Sequence, residues 1–290
     1  MLLTIFNIVL PVFLIAACGA VYAYWFRPDL GWINRLNMDV FIPALIFSVM
    51  SGSHFVPGDY LHLALGAAGV ALGSGLLAWP LARWLKVEKQ TFLPPMMFNN
   101  TGNMGIPLLV LAFGQGALPS AITVFVTVTL IHFTLGLYLL DRKMRLTALL
   151  RVPIVHATVA GLTFSHFGWQ LPGAIHLPIE MLGQISIPLM LFALGVRLLD
   201  VTLTGVRIGL WGAIACPVTG LIMAYLLAPF LHLAEPQWGV LLVFAALPPA
   251  VLNFMLAEKY QQEPHLVASI VLLGNLASLV FIPLALWLAL

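Results

Sequence analysis

Charged side chains are scarce in this sequence. Of its 290 residues, only 8% are Asp, Glu, Lys or Arg, whereas an ordinary soluble domain carries about 25%. Hydrophobic residues make up 62% of the chain, and the mean hydropathy is +1.06. So few charges cannot cover a surface that faces water, and the sequence therefore predicts an all-α polytopic membrane protein. A transmembrane β-barrel is not expected, because the apolar runs are continuous instead of alternating with polar residues.

Other features are also missing. The two cysteines, Cys18 and Cys216, lie in apolar runs, so we expect neither a disulfide framework nor a metal site. The net charge of +2 is small and dispersed, which argues against a nucleic-acid surface. No nucleophile–base set or metal-ligand cluster is visible, so we expect no enzymatic activity and no bound cofactor.

The apolar runs divide into ten candidate spans when the chain is cut at charges and at Gly, Pro and His clusters. A bilayer core needs about 20 apolar residues per helix, and most of the runs approach this length. The predicted spans, numbered 1 to 10 in chain order, are 3–26, 38–52, 60–83, 91–114, 119–140, 153–168, 177–198, 205–231, 238–258 and 265–289.

Positive charge occurs on only one side of these ten spans. All twelve Lys and Arg residues fall in alternate loops, whereas the opposite loops carry only Asp59, Glu180 and Glu235. Loops rich in Lys and Arg stay on the cytoplasmic side, so both termini are predicted to face outward. The basic residues are Arg27, Arg35, Arg83, Lys86, Lys89, Arg142, Lys143, Arg145, Arg151, Arg197, Arg207 and Lys259.

The two halves of the chain resemble each other at an offset of 145 residues. The matching pairs are Ile42–Phe47 with Ile187–Phe192, Pro119 with Pro264, and the irregular segments 99–107 with 244–252. We therefore predict two five-helix repeats, residues 1–145 and 146–290. Because five is odd, the second repeat enters the membrane inverted, an arrangement typical of secondary transporters with a substrate at the repeat interface.

Two spans are predicted to be broken at matching positions. Asn, Gly and Pro interrupt span 4 over 98–107, and a Pro-Pro pair interrupts span 9 over 245–253. A helix that restarts inside the membrane presents N–H groups and a partial positive charge, which favours an anion, and Pro107 and Pro249 suit its first position. The alternative is a pair of proline kinks without a ligand. The predicted substrate-binding residues are Asn99, Asn100, Thr101, Asn103, Gly105, Pro107, Pro248, Pro249 and Asn253.

His132 is the lone ionisable residue that the sequence places deep in a span. An imidazole can take up and release a proton near neutral pH, so His132 is a candidate proton carrier. A histidine that only packs and hydrogen-bonds against a neighbouring helix is the alternative.

Two motifs carry a family resemblance. Residues 100–108, Asn-Thr-Gly-Asn-Met-Gly-Ile-Pro-Leu, resemble the fourth-helix motif of the auxin efflux carrier family, and Ala246-Leu247-Pro248 with Phe254, Ala257, Glu258 and Tyr260 is similar to its ninth-helix motif. The short loops resemble the bacterial branch. The resemblance implies that broken spans 4 and 9 cross, that spans 1, 2, 6 and 7 form a scaffold, and that spans 3–5 and 8–10 move.

The resemblance also implies a function. Members carry organic anions, either auxin-like carboxylates or dicarboxylates such as malate or malonate, and plant members are usually homodimers. A bacterial member is expected in the cytoplasmic (inner) membrane. Asn100 matches an Asn beside the plant crossover, and Pro248 matches the crossover Pro of helix nine. Asn99, Asn103 and Asn253 replace a Pro, an apolar residue and a second Pro, so the pocket is expected to suit a small hydrophilic carboxylate.

The leading function is therefore an alternating-access carrier of small organic anions. Two other functions remain open from the sequence, a sodium-coupled carrier of the related bile-acid type and a passive channel. Coupling to protons or to sodium is also left open.

Overall fold

The chain folds into α-helices joined by short connections. A computed structural model describes residues 1–52, 55–142, 150–198 and 204–290, and these ranges contain no β-strand. The α-helices are α1 Leu2–Phe26, α2 Gly31–Leu36, α3 Ile42–Met50, α4 Leu61–Leu85, α5 Lys89–Met97, α6 Ile106–Phe113, α7 Leu118–Ile131, α8 Leu137–Leu140, α9 Pro153–Phe167, α10 Gly173–Leu198, α11 Val206–Leu231, α12 Gln237–Ala245, α13 Val251–Lys259 and α14 Pro264–Ala289.

Short π-helical and 3₁₀ turns continue several of these helices. A π-helical turn joins α2 to α3, another precedes α6, and a third joins α7 to α8. These turns keep the backbone helical, so α2 and α3 act as one span. The π-helical turns are Asn37–Phe41, Thr101–Gly105 and His132–Gly136, and the 3₁₀ turns are Pro57–Tyr60 and Gln115–Ala117.

Seven helical segments of the described chain are long and apolar enough to cross a membrane. They correspond to predicted spans 1, 2, 3, 5, 7, 8 and 10, and the protein is therefore a multi-pass membrane protein. The segments are Leu2–Phe26, Gly31–Met50, Pro57–Leu85, Gln115–Leu140, Gly173–Arg197, Val206–Leu231 and Pro264–Ala289.

The other three predicted spans are short or interrupted helices. Span 6 is the 15-residue helix α9, and spans 4 and 9 are each divided into two shorter helices. None of these pieces reaches the length of about 20 residues that a single membrane-crossing helix needs, so the ten-span inverted repeat stays a prediction. Lys143, Arg145 and the boundary between the predicted repeats lie outside the described residues.

One predicted boundary was wrong. Span 2 begins at Gly31 and not near residue 38, because the turn Asn37–Phe41 joins α2 to α3 without a break. Arg35, which the sequence analysis placed in a loop, therefore lies on a helix.

The helices approach each other closely at glycines. Helix α1 packs along α10, and a Cβ atom at Gly195 would overlap the carbonyl of Ala16, while one at Gly19 would overlap the carbonyl of Phe192. Small residues allow such backbone contact in membranes, where van der Waals packing drives helix association. These two glycines therefore fix the distance between α1 and α10.

We predict that Gly195→Ala destabilises the protein, because the added methyl group must push α1 away from α10. Overpacking of this kind costs about 1–3 kcal/mol. Thermal unfolding in detergent measures the loss. The control is Gly173→Ala at the start of the same helix, where a Cβ meets nothing within 4 Å, and equal stability of the two variants would contradict the predicted clash.

Candidate functional site

The first helix break follows α5. Pro94 and Pro95 lie inside α5, the backbone of Phe98 is extended, and Asn100 is non-helical with φ −76° and ψ 60°. The chain becomes helical again at Thr101 and continues through α6. The half-helix therefore begins at Thr101 and not at Pro107 as predicted, because the π-helical turn Thr101–Gly105 leads directly into α6.

The second helix break follows α12. Residues 246–250 are not helical, and they contain Pro248 and Pro249. Proline has no N–H group and cannot continue the hydrogen-bond ladder of α12. Helix α13 starts at Val251, so Pro249 precedes this half-helix and does not occupy its first position as predicted.

The two breaks contact each other. Asn99 and Pro249 form an antiparallel bridge, and backbone hydrogen bonds flank it on both sides. Buried backbone groups without partners would each cost several kcal/mol in a membrane, and this pairing removes much of that cost. The bonds run from the Asn100 N–H to the Pro248 carbonyl (2.7 Å) and from the Ala250 N–H to the Phe98 carbonyl (3.0 Å).

Two predicted binding residues support this pairing with their side chains. The Asn99 amide donates to the Phe244 carbonyl at 3.0 Å and accepts a bond from the Cys216 thiol at 3.4 Å. Because Pro248 has no N–H, this amide supplies Phe244 with a donor that a continuous α12 would have provided. The Asn253 amide donates to the Phe98 carbonyl at 2.9 Å.

A cavity of about 460 Å³ lies at the two breaks, because its wall contains Asn99 and Asn100 from the first break and Ala250 from the second. Its wall includes Asn99, Asn100, Thr101 and Asn103 from the predicted site, together with His132. The Nδ2 atom of Asn100 is buried without a hydrogen-bond partner, and the residue is only 3% exposed. A buried N–H donor without an acceptor is costly, so a ligand acceptor that reached this amide from the cavity would relieve that cost.

The remaining predicted site residues lie outside the cavity wall. The Gly105 N–H donates to the Asn100 carbonyl at 2.9 Å, and Pro107 is buried in the first turn of α6. Pro248, Pro249 and Asn253 belong to the paired backbone.

His132 stacks face to face on Phe98 at the cavity wall. The ring centroids are 4.0 Å apart with an interplanar angle of 6°. A Cβ atom at Gly136 would come within 2.7 Å of the His132 ring and 2.8 Å of the Phe98 ring. Glycine at position 136 therefore makes room for the stacked pair.

The sequence analysis missed the charged part of this wall. Arg35, Asp39 and Arg197 line the same cavity. Both arginines had been counted only as loop charges that orient the protein. The available signal was the absence of a helix breaker between 31 and 42, which extends span 2 to Arg35.

We predict that removing the two neighbouring amides affects stability differently. Asn99→Ala should lower the free energy of unfolding by about 1 kcal/mol, because it removes a hydrogen bond within the paired backbone. Asn100→Ala should not lower it, because that variant removes a buried donor without a partner. Thermal unfolding without added ligand compares them, and a loss with Asn100→Ala as large as with Asn99→Ala would contradict these assignments.

Comparison with known proteins places the chain among transporters. A family model described as "membrane transport protein" matches residues 137–287, which is slightly more than half of the chain. The chain is 26% identical over 276 residues to an uncharacterised transporter of Methanocaldococcus jannaschii, covering 89% of each protein. It is 28% identical over 280 residues to an uncharacterised transporter of Methanothermobacter thermautotrophicus, covering 88% of each.

A third relative has a more specific name. The chain is 24% identical over 272 residues to a candidate malonate transporter of Rhizobium meliloti, covering 86% of this chain and 83% of that protein. The matched family and these relatives are transporters and not enzymes.

Proposed function

Since the chain belongs to the matched membrane transport family, the auxin efflux carrier family, we propose that it is a secondary carrier of small organic anions that works by alternating access. The observation that carries this proposal is the cavity ending at the paired breaks. Its wall joins the unpartnered Asn100 amide to the start of the helical segment Thr101–Phe113. The first N–H groups of a helix have no intrahelical partners and attract negative charge.

Support for alternating access comes from a second cavity at the opposite end of α10. This outer cavity is lined by Leu45, His176 and Glu180 among others, whereas Ile42 and Met190 line the cavity at the breaks. Along α3, Ile42 and Leu45 are about one helical turn apart, which corresponds to about 5 Å. A small displacement of one helix group past the other would therefore expose the site to the opposite side.

The side chains that lie between the two cavities argue against a passive channel. Leu45 is 2% exposed and Met190 is 1% exposed, so apolar side chains separate the two cavities. A channel would need a continuous polar path between them.

Support for the inverted repeat comes from helix bounds that recur at the offset of 145 residues. Helices α4 and α11 begin at Leu61 and Val206, and α6 and α13 begin at Ile106 and Val251. The Asn99 amide also bonds the carbonyl of residue 244, which is 145 positions later.

We extend the proposal to the whole molecule on these grounds. Residues 1–145 and 146–290 form inverted halves with crossing breaks, and spans 1, 2, 6 and 7 form the scaffold. The cavity with Arg35 and Arg197 opens to the cytoplasm, following the positive charge. The carrier lies in a bacterial inner membrane with both termini outside, as a homodimer.

Binding of a carboxylate tests the site directly. A ligand at 100 times its dissociation constant adds about 2.7 kcal/mol to the stability, so malonate or malate should raise the unfolding temperature of the purified protein. We expect Asn100→Ala and Asn103→Ala to abolish this shift, and Asn7→Ala, at an exposed position on α1, to retain it. Shifts with amines or neutral solutes but with no carboxylate would overturn the proposal.

His132 has a separate test. Its stacking on Phe98 and the absence of an ion pair to it among the described residues favour the packing role. We therefore expect His132→Phe, which keeps an aromatic ring against Phe98, to retain both anion exchange and uptake driven by a pH gradient. Loss of the gradient-driven uptake alone, measured in liposomes, would instead identify His132 as the proton carrier.

A further inference from the structure

One aromatic ring near the end of α4 carries two basic side chains. The guanidinium carbon of Arg83 lies 5.2 Å from the centre of the Trp79 ring, and Lys89 Nζ lies 4.7 Å from the same centre. All three residues are exposed, and none of them lines either of the two cavities described above. Trp79, Arg83 and Lys89 are called the Trp79 cluster below.

A tight turn after α4 brings Lys89 back over the ring. Lys86 takes a left-handed conformation with φ 58°, and its N–H donates to the Arg83 carbonyl at 3.2 Å. The Val87 N–H donates to the Ala82 carbonyl at 3.1 Å. These two hydrogen bonds end α4, and α5 then begins at Lys89 and packs against α4. The position of the Lys89 backbone is therefore fixed by hydrogen bonds of the turn.

The Trp79 cluster lies at the depth of the lipid headgroups. Helix α4 belongs to the segment Pro57–Leu85, which is long and apolar enough to cross a membrane. Its 25 residues correspond to about 37 Å of helix, whereas the hydrocarbon core of a bilayer is about 30 Å thick. The last turn, which contains Arg83, therefore reaches the headgroup layer, where tryptophan is also frequent.

The positive charge of the cluster is not balanced within the described part of the chain. No carboxylate of the described residues lies within 4.0 Å of either cation, although Glu88 precedes Lys89 in sequence. A further cation, Arg207, lies 5.9 Å from the ring of Trp84, which follows Arg83 in the chain. A cation–π contact leaves the charge of the cation unchanged. Two like charges held over one ring repel each other, so an anion from outside the chain would stabilise them.

We propose that the Trp79 cluster binds the phosphate of an anionic phospholipid, in the leaflet on the side of the basic loops. Arg83 and Lys89 donate charge-assisted hydrogen bonds to this phosphate, and the exposed ring of Trp79 packs against the lipid beside it. A zwitterionic lipid is a poorer ligand, because its ammonium group is repelled by the same cations. The lipid site does not depend on the proposed function, since it lies outside the transport cavity.

Native mass spectrometry of the purified full-length protein measures the lipid affinities. The probes are phosphatidylglycerol and phosphatidylcholine with identical acyl chains, and inorganic phosphate is the soluble competitor. The variants are Arg83→Gln and Lys89→Gln, with Arg83→Lys and Lys89→Arg as charge-retaining partners. Arg27→Gln is the matched control, because Arg27 is an exposed arginine at the end of α1 and its loss removes the same charge from the same predicted face.

We expect wild type to bind phosphatidylglycerol more tightly than phosphatidylcholine. Each Gln variant should lose about fivefold in phosphatidylglycerol affinity, the contribution of one basic residue near an anionic surface, with little change for phosphatidylcholine. The charge-retaining variants and Arg27→Gln should keep the wild-type preference. The ratio of the two affinities within one variant does not depend on its stability, and unfolding temperatures without lipid show whether each variant is folded.

Several results would overturn the lipid site. They are equal binding of both lipids to wild type, an unaltered preference in both Gln variants, and a loss in Arg27→Gln as large as in the Gln variants of the cluster. The last result would assign the preference to general surface charge. Displacement of phosphatidylglycerol by inorganic phosphate at the same concentration would identify a site for free phosphate, and the lipid would then be the wrong occupant.

Discussion

The structure depends on one constraint, which is that backbone groups inside a membrane must find hydrogen-bond partners without water. Two helices are interrupted by Asn, Gly and Pro residues, and each interruption leaves backbone groups that its own helix cannot satisfy. The breaks meet this need by pairing with each other through the bridge of Asn99 and Pro249. Neither break is stable alone, so two distant parts of the sequence are brought to one point.

This pairing divides the asparagines into two groups. The amides of Asn99 and Asn253 are bound to backbone carbonyls of the breaks and hold the geometry. The amide of Asn100 keeps a donor without a protein partner beside a cavity. The polar cluster that the sequence displays as one motif therefore separates into residues that maintain the site and residues that can contact a ligand.

The sequence predicted the breaks well because their causes are local. Pro248 lacks an N–H group wherever it lies, and the Asn and Gly residues of 98–107 weaken any helix. The mutual contact of the breaks was expected only from a family resemblance, since partner choice is a tertiary property. The roles of Asn99 and Asn253 could not be separated from that of Asn100, because side-chain direction in an unwound segment has no helical period.

The position of Arg35 and Arg197 on the cavity wall was not predicted, for a related reason. Charge counting assigned Arg35 and Arg197 to loops and used them only to predict the orientation of the chain, and this explanation concealed their position on a cavity. Helix bounds, which are the least certain part of sequence interpretation, decide whether a basic residue faces solvent or a substrate path.

The central claim is that the paired breaks and the Asn100 amide form the binding site, and a structure of the malonate-bound protein in lipid tests it most directly. The account predicts a carboxylate within hydrogen-bond distance of Asn100 Nδ2 with the Asn99–Pro249 pairing intact; malonate bound elsewhere, or breaks that lie apart, would contradict it.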